Sequence, residues 1–492
     1  MSVIAFPRRP ARAVPALLTR TAGLLGRDAL AVLIIGAWTA LLALAMPKLL
    51  VQDSWLSLVD GRLVAQHGLP HTDTLTLWTL GRPWTDQQWG AHLVLYELTR
   101  AGGLRLLIAF SIACVLTALV TACVATRKLG ATPGAAALGA LLPLLGSPWL
   151  TQVRSQSLAL PLFVAVYALL AFDARSPGRR VLLVLPLLAL WANLHGSVVM
   201  AAGLTSLYGL TLLRSSEHRL RAAALVVGAP LCVLATPYGF AVVGYYKLML
   251  VSSPLTHFVH EWQAPTRKAP PSAFAVVAFW ARHPRAVTSF ERWAIALLLV
   301  AAMAALRNAI WFELAAAITF PRLLDATWRM RPQTDGVRRV NLFLGLAVTA
   351  GVLALVVAQL GRPQSWLQRD LPPSAAAAIA HAAGPTGIVL SDDEHADWLL
   401  WQEPSLAGRV AYDVRFELFD AHELEMLTRL QRGSTPVWNA CGNVASIVTF
   451  PTPADRQRVA REGVLGAHVR TLVALPGLAA VARETKPGRC PL

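Results

Sequence analysis

The sequence predicts a polytopic α-helical membrane protein with about eleven transmembrane helices and a C-terminal extracytoplasmic α/β domain. Three observations carry that expectation. The 492 residues are 55% hydrophobic and only 14% charged, against roughly 25% charged in an ordinary soluble domain. Apolar runs near the ~20 residues that a bilayer-crossing helix needs recur along the chain. Arginine clusters separate those runs in the alternating way that topology determinants do. The net charge of +17 is spread over these clusters rather than gathered into one surface. It points to anionic lipid headgroups and not to nucleic acid.

Residues 1–28 form a basic N-terminus carrying Arg8, Arg9, Arg12, Arg20 and Arg27, which the positive-inside rule keeps in the cytoplasm. The first apolar run, 29–46, contains Ala43-Leu44-Ala45, similar to a cleavage site, but it exceeds a normal signal h-region and reads as a retained anchor. Further spans are expected near 104–126, 133–150, 155–172, 181–195, 197–213, 222–236, 272–281, 293–306, 309–327 and 341–360. Arg127-Lys128, Arg175/Arg179/Arg180, Arg214/Arg219/Arg221, Arg282/Arg285 and Arg329/Arg331/Arg338/Arg339 then all fall on the cytoplasmic side, with Arg267-Lys268 the exception. The transmembrane domain is thus expected over 29–360. An odd number of spans places the remaining domain, 361–492, outside.

The first outer loop, 51–103, is the richest stretch of the chain. It holds Asp53, Asp60, Asp73 and Asp86, the tryptophans 55, 78, 84 and 89, and Arg62, Arg82 and Arg100. Loops this long usually carry function or are disordered, and this one is too aromatic for disorder. Asp53, just after the first span, can serve as a general base for an acceptor hydroxyl, or as a helix N-cap for the stretch from Ser54 to Gln66. Asp86 repeats the acid-then-tryptophan pattern before a second amphipathic stretch, Gly90 to Arg100. Asp60 and Arg62 read as a local ion pair. Trp55 and Trp89 can stack on a sugar, although tryptophan also favours membrane interfaces.

The same outer side collects other polar residues at the ends of apolar runs. Arg154 and Arg307 suit phosphate, with headgroup snorkelling as the competing account. Asn193 and His195 close a span; the histidine can bind phosphate or relay protons, or simply cap a helix end. Glu261 offers a second carboxylate that would suit a divalent cation or an acceptor sugar. The sequence leaves cofactors open: it contains no zinc-type ligand spacing, no phosphate-binding glycine loop and no nucleotide fingerprint.

Within 361–492, strand-like runs (387–390, 409–412, 444–450 and 470–475) alternate with helix-like stretches, the pattern of a small α/β domain. Of the five cysteines, Cys114, Cys123 and Cys232 lie in expected spans. Cys441 and Cys490 both fall in the outer domain, a compartment that permits a disulfide between them.

The stretches DSW…DGRLVAQHGLPHTDTLT…GRPWTDQQW, WANLHG, TPYG, HEWQAP, LRN and DDEHADWLLW…GRVAYDVRFELF run in order over nearly the whole chain. Together they resemble a family of bacterial integral membrane proteins related to the GT-C glycosyltransferases. That resemblance implies transfer of a sugar from a polyprenyl-phosphate carrier to an envelope glycan or protein acceptor outside the cytoplasmic membrane. It also implies an acidic catalytic residue in the first outer loop, which by position is Asp53. Many such enzymes show paired acids there, whereas here Ser54 follows. The expected site therefore comprises Asp53, Asp86 and Glu261 as the acids and Arg154, His195 and Arg307 around the donor phosphate. Trp55, Trp89 and Asn193 are expected to contact substrate. A transporter or non-enzymatic assembly partner for envelope glycans is the other class left open.

Overall fold

The computed structural model describes residues 26–146, 148–213, 216–250, 255–265, 271–328, 335–431, 445–461 and 469–483. The expected Cys441–Cys490 pair lies outside the described residues.

The alanine- and leucine-rich runs fold as helices, as their propensities favour. In hydrocarbon a helix satisfies its backbone hydrogen bonds internally. In chain order these are α1 (Ala29–Leu44), α2 (Gln52–His67), α3 (Trp89–Lys128), α4 (Pro133–Gly146), α5 (Gln156–Asp173), α6 (Val184–Trp191), α7 (Val198–Leu212), α8 (Arg219–Val233), α9 (Ala241–Leu250), α10 (Pro271–Arg282), α11 (Ser289–Ala304), α12 (Ala309–Trp328) and α13 (Asp335–Leu360). A helix occupies each stretch read as a span. Among the described residues, three of them (α3, α5 and most of α13) are long and apolar enough to cross a membrane. α9 is a helix inside a segment read as outer loop.

Two helices show how the body is arranged. α12 is buried on all sides from Ala309 to Leu324, with Trp311 packed against Phe163 and Trp191. α13 is the reverse: only 6% of its apolar window is buried, and Phe343 is 72% exposed. Apolar surface left this bare is suited to lipid rather than water.

α3 is two helices joined at a bend. Gly102 and Gly103 leave helical geometry, and Gly103 takes φ 67°, a left-handed conformation that favours glycine. The bend separates the expected span from the part of α3 that belongs to the first loop.

Beyond α13 the chain forms α14 (Pro373–Ala383), β1 (Ile388–Leu390), α15 (Ala396–Gln402), α16 (Ala421–Gln431), β2 (Ala445–Phe450), α17 (Pro453–Arg461), β3 (Val469–Leu475) and β4 (Leu478–Arg483). The sheet order is β1-β2-β4-β3, parallel between β1 and β2 and antiparallel elsewhere. Residues 409–412 differ from expectation. Val410 makes isolated bridges to Val389 on one side and Thr76 on the other, so the run is a link between the sheet and the first loop. Leu77 N donates to Val410 O at 2.8 Å, and Trp78 N to Ala411 O at 3.0 Å.

The first loop is thus folded onto the C-terminal segment. Trp78 stacks on Tyr412 with ring centroids 5.5 Å apart, and Arg82 pairs with both oxygens of Glu423 at 2.5 and 2.7 Å. Arg62 donates to the Leu400 and Trp401 carbonyls at 2.6 and 3.0 Å. These carbonyls close α15, whose last C=O groups need partners.

Candidate functional site

A cavity of about 330 Å³ opens where the start of α2, the connection before α5, the α6–α7 turn, residues 259–262, Arg307 and residues 414–417 meet. Local structure explains how Asp53 and Arg154 come together. Ser54 Oγ accepts from Val51 N at 3.0 Å and donates to Val153 O at 2.5 Å. Val153 N in turn donates to Leu49 O at 2.9 Å. The first turn of α2 is therefore tied to the segment carrying Arg154. Val51, not Asp53, occupies the N-cap position. The Asp53 carboxylate accepts instead from Arg154 Nε at 2.6 Å, which corrects the capping alternative.

From that pair a line of alternating charge runs across the cavity. Arg154 Nη1 and Nη2 reach Glu261 Oε2 at 3.3 Å, and Arg307 Nη1 lies 3.8 Å from Glu261 Oε1. The Arg307 guanidinium sits over the Trp262 ring, 4.2 Å from its centroid. Burial works against the Arg154 charge, but Asp53 and Glu261 outweigh it and hold its pKa above the ordinary value. An anion entering here meets two guanidiniums already desolvated on one side, where charge–charge contacts are strengthened.

His195 also lines the cavity. Its Nδ1 accepts from Ser197 N at 3.1 Å, which leaves Nε2 to carry the proton. Arg307 and Arg154 line the same cavity. The ring can offer a hydrogen bond through Nε2.

The other candidates stand outside the cavity lining. Trp55 is 3% exposed in a hydrophobic core. Trp89 Nε1 donates to Asn193 Oδ1 at 3.0 Å, and the Asn193 amide donates to Ala189 O and Ala235 O at 2.9 and 2.8 Å. This pair ties the head of α3 to the end of α6. Asp86 lies one layer behind the wall, bonded to Gln88 N and His92 Nδ1, both at 3.0 Å.

Several residues at the site were not singled out from sequence. Arg415, 1% exposed, pairs with Asp73 at 2.7 Å and Asp413 at 2.6 Å and lies 4.5 Å from the Trp84 ring centroid. Asp73 also accepts from Thr79 Oγ1 at 2.6 Å and Thr76 Oγ1 at 2.8 Å. Glu417 and Asp393 reach the cavity; burial raises their carboxyls to about 7 and about 6 respectively. Asp60 does not pair with Arg62. It is fully buried beside His92, and burial pushes its carboxyl well above the ordinary value against the pull of Arg415 and His92. The one cue in sequence was the run DVRFELF, where charges interleave with large apolar residues as on a strand or turn against a core.

No protein-family model and no curated protein matches the chain. Among solved structures it is similar to ArnT of Cupriavidus metallidurans in the apo state, with TM-score 0.47 and 14% identity over 92% of this chain and 97% of that one. The same protein bound to undecaprenyl phosphate gives TM-score 0.48 and 13% identity over 96% and 98%. The oligosaccharyltransferase AglB of Archaeoglobus fulgidus, in complex with an inhibitory peptide and a dolichol-phosphate, gives TM-score 0.44 and 13% identity over 85% and 69%.

Proposed function

We propose that the chain is a membrane glycosyltransferase that moves a sugar from a polyprenyl-phosphate donor to an extracytoplasmic acceptor. The carrying observation is the alternating line Asp53–Arg154–Glu261–Arg307 on one cavity wall. Such a line suits a reaction that gathers negative charge on one group while removing a proton from another. A donor phosphate competes with Asp53 and Glu261 for the two guanidiniums. Phosphate displacing Asp53 from Arg154 frees the carboxylate as base. Asp53 takes the proton of an acceptor hydroxyl, whose oxygen attacks the anomeric carbon. The sugar–phosphate bond breaks, and its electron pair leaves with the lipid phosphate, held by Arg154 and Arg307. His195 donates a hydrogen bond through Nε2, and Glu261 orients Arg154 and Arg307. Incubating the purified protein with labelled polyprenyl-phosphate sugars tests this; no transfer and no donor binding across the panel would remove the assignment.

Arg307→Gln is the cleaner probe of donor binding, because Arg154 also neutralises Asp53. Loss of one charged hydrogen bond, about 1.5–3 kcal/mol, is expected to weaken donor binding about 10- to 100-fold in a titration. Unchanged affinity would leave Arg307 with only its packing on Trp262.

We also infer a cytoplasmic segment 1–28, a transmembrane domain 29–360 with eleven spans, and an outer domain 361–492. The hydrogen bonds between residues 75–78 and 408–411 support an even number of crossings between them. A C-terminal alkaline phosphatase fusion is expected to be active; an inactive phosphatase with an active cytoplasmic reporter would overturn the topology.

A further inference from the structure

Behind the cavity wall, Asp60 on α2, Asp86 before α3 and His92 in the first turn of α3 each offer one ligand atom, and the three lie within 4.8 Å of one another. His92 Nδ1 is 3.0 Å from Asp86 Oδ2 and 3.7 Å from Asp60 Oδ2. Bonds of ~2.0–2.1 Å to a tetrahedral Zn²⁺ put ligand atoms roughly 3.3 Å apart, so small side-chain shifts complete such a shell. A Cβ on Gly61 would overlap the His92 carbonyl. The glycine lets α2 and α3 approach closely enough to bring these side chains together.

A second observation points to a ligand. Asp60 is 0% exposed, yet neither of its carboxylate oxygens accepts a hydrogen bond. A buried carboxylate without a donor is strongly disfavoured. The surroundings do not relieve it. Asp73, Asp397 and Asp413 are also buried, and Arg415 is committed to Asp73 and Asp413. Five carboxylates here face one guanidinium and one imidazole. With His92 neutral, as a metal ligand must be, two positive charges at Asp60 would offset half of the excess.

We propose that Asp60, Asp86 and His92 bind a divalent transition-metal cation that pins α2 to α3 behind the cavity wall. Two carboxylates and one imidazole are a donor set for Zn²⁺ and its neighbours, with a further coordination position left for water. The cation would act by position. His92 and Gln88 reach the cavity, and Asp86, bonded to both, would be fixed by it. The proposal is independent of the reaction assigned to the cavity.

The test uses the full chain in detergent micelles. Metal content after exhaustive dialysis, measured by mass spectrometry, is expected to be one equivalent per chain. EDTA is expected to lower the melting temperature and Zn²⁺ alone to restore it. Asp60→Asn is expected to weaken Zn²⁺ binding more than about 100-fold, beyond the usual effect of losing an outer-shell partner. A merely protonated Asp60 predicts the opposite: Asp60→Asn melts at or above the wild type, and EDTA and Zn²⁺ change nothing. That outcome overturns the proposal, as does stoichiometric metal that persists in both Asp60→Asn and His92→Gln. If the variants fail to fold, Co²⁺ added to the stripped wild type decides. Visible d–d bands that Zn²⁺ abolishes support the site; their absence overturns it.

Discussion

Asp53→Asn is expected to abolish sugar transfer, by roughly 10²- to 10⁴-fold, the usual contribution of a positioned general base, while leaving insertion and folding intact. The substitution keeps the side chain's size and an amide oxygen that still accepts from Arg154, which the native carboxylate does at 2.6 Å. Glu261 remains against the same guanidinium, so Arg154 is not left uncompensated. What disappears is the capacity to take a proton. Transfer of a labelled sugar, normalised to folded protein by size-exclusion profile, measures the effect. An Asn variant with wild-type turnover would take Asp53 out of the mechanism.

The largest effect on stability is expected from Arg415→Met. The guanidinium is 1% exposed and is the shared partner of Asp73 and Asp413. Removing one partner of a buried ion pair typically costs about 3–5 kcal/mol, because the other charge stays behind unpaired. Methionine keeps much of the volume, so the loss is electrostatic rather than a cavity. A pH series gives the check. Burial alone would raise the Asp73 carboxyl, but Arg415 and the hydrogen bonds from Thr79, Leu75 and Thr76 hold it below the ordinary value. A depressed carboxylate stabilises the fold above its unfolded value of ~3.9, and that stability is lost as pH falls through the folded value. In the variant the guanidinium's pull is gone, and the orphaned carboxylates are relieved by protonation. The melting-temperature deficit against the wild type should therefore be largest near neutrality and shrink on acidification. A deficit of less than a degree at neutral pH would mean that Asp73 and Asp413 find other partners.

The helices in the apolar runs and α15, α16 and α17 were readable because their signals are local: apolar length and helix propensity. Asp53, Arg154, Glu261 and Arg307 were readable as candidates for a related reason, since each is a charge at the margin of an apolar run on one predicted side. The aromatic content of the first loop was visible, but its use was not. Trp78 meets Tyr412 and Trp84 meets Arg415, partners more than three hundred residues away, so no spacing rule connects them. Burial explains the remaining misses. Asp60, His92 and Glu417 look like ordinary surface residues in a string of letters, and only tertiary packing takes them out of water. The expected strand at 409–412 failed because its second neighbour comes from the first loop, leaving single bridges in place of a ladder.

The link between Arg62 and the carbonyls of Leu400 and Trp401 spans 338 and 339 residues, and this separation dictates an order of events during synthesis. The loop after α1 emerges early, but the groups that receive Arg62, Arg82 and Asp73 are made last. Until then Arg62, Arg82, Asp73 and Trp78 wait without those partners while the helices between are made. Closing so distant a contact is slow and exposes apolar surface in the interval. The wall of the cavity is therefore a product of completion: a nascent chain stopped near residue 360 holds Asp53 and Arg154 but not residues 414–417, and its cavity stays open on that side until the later segment arrives.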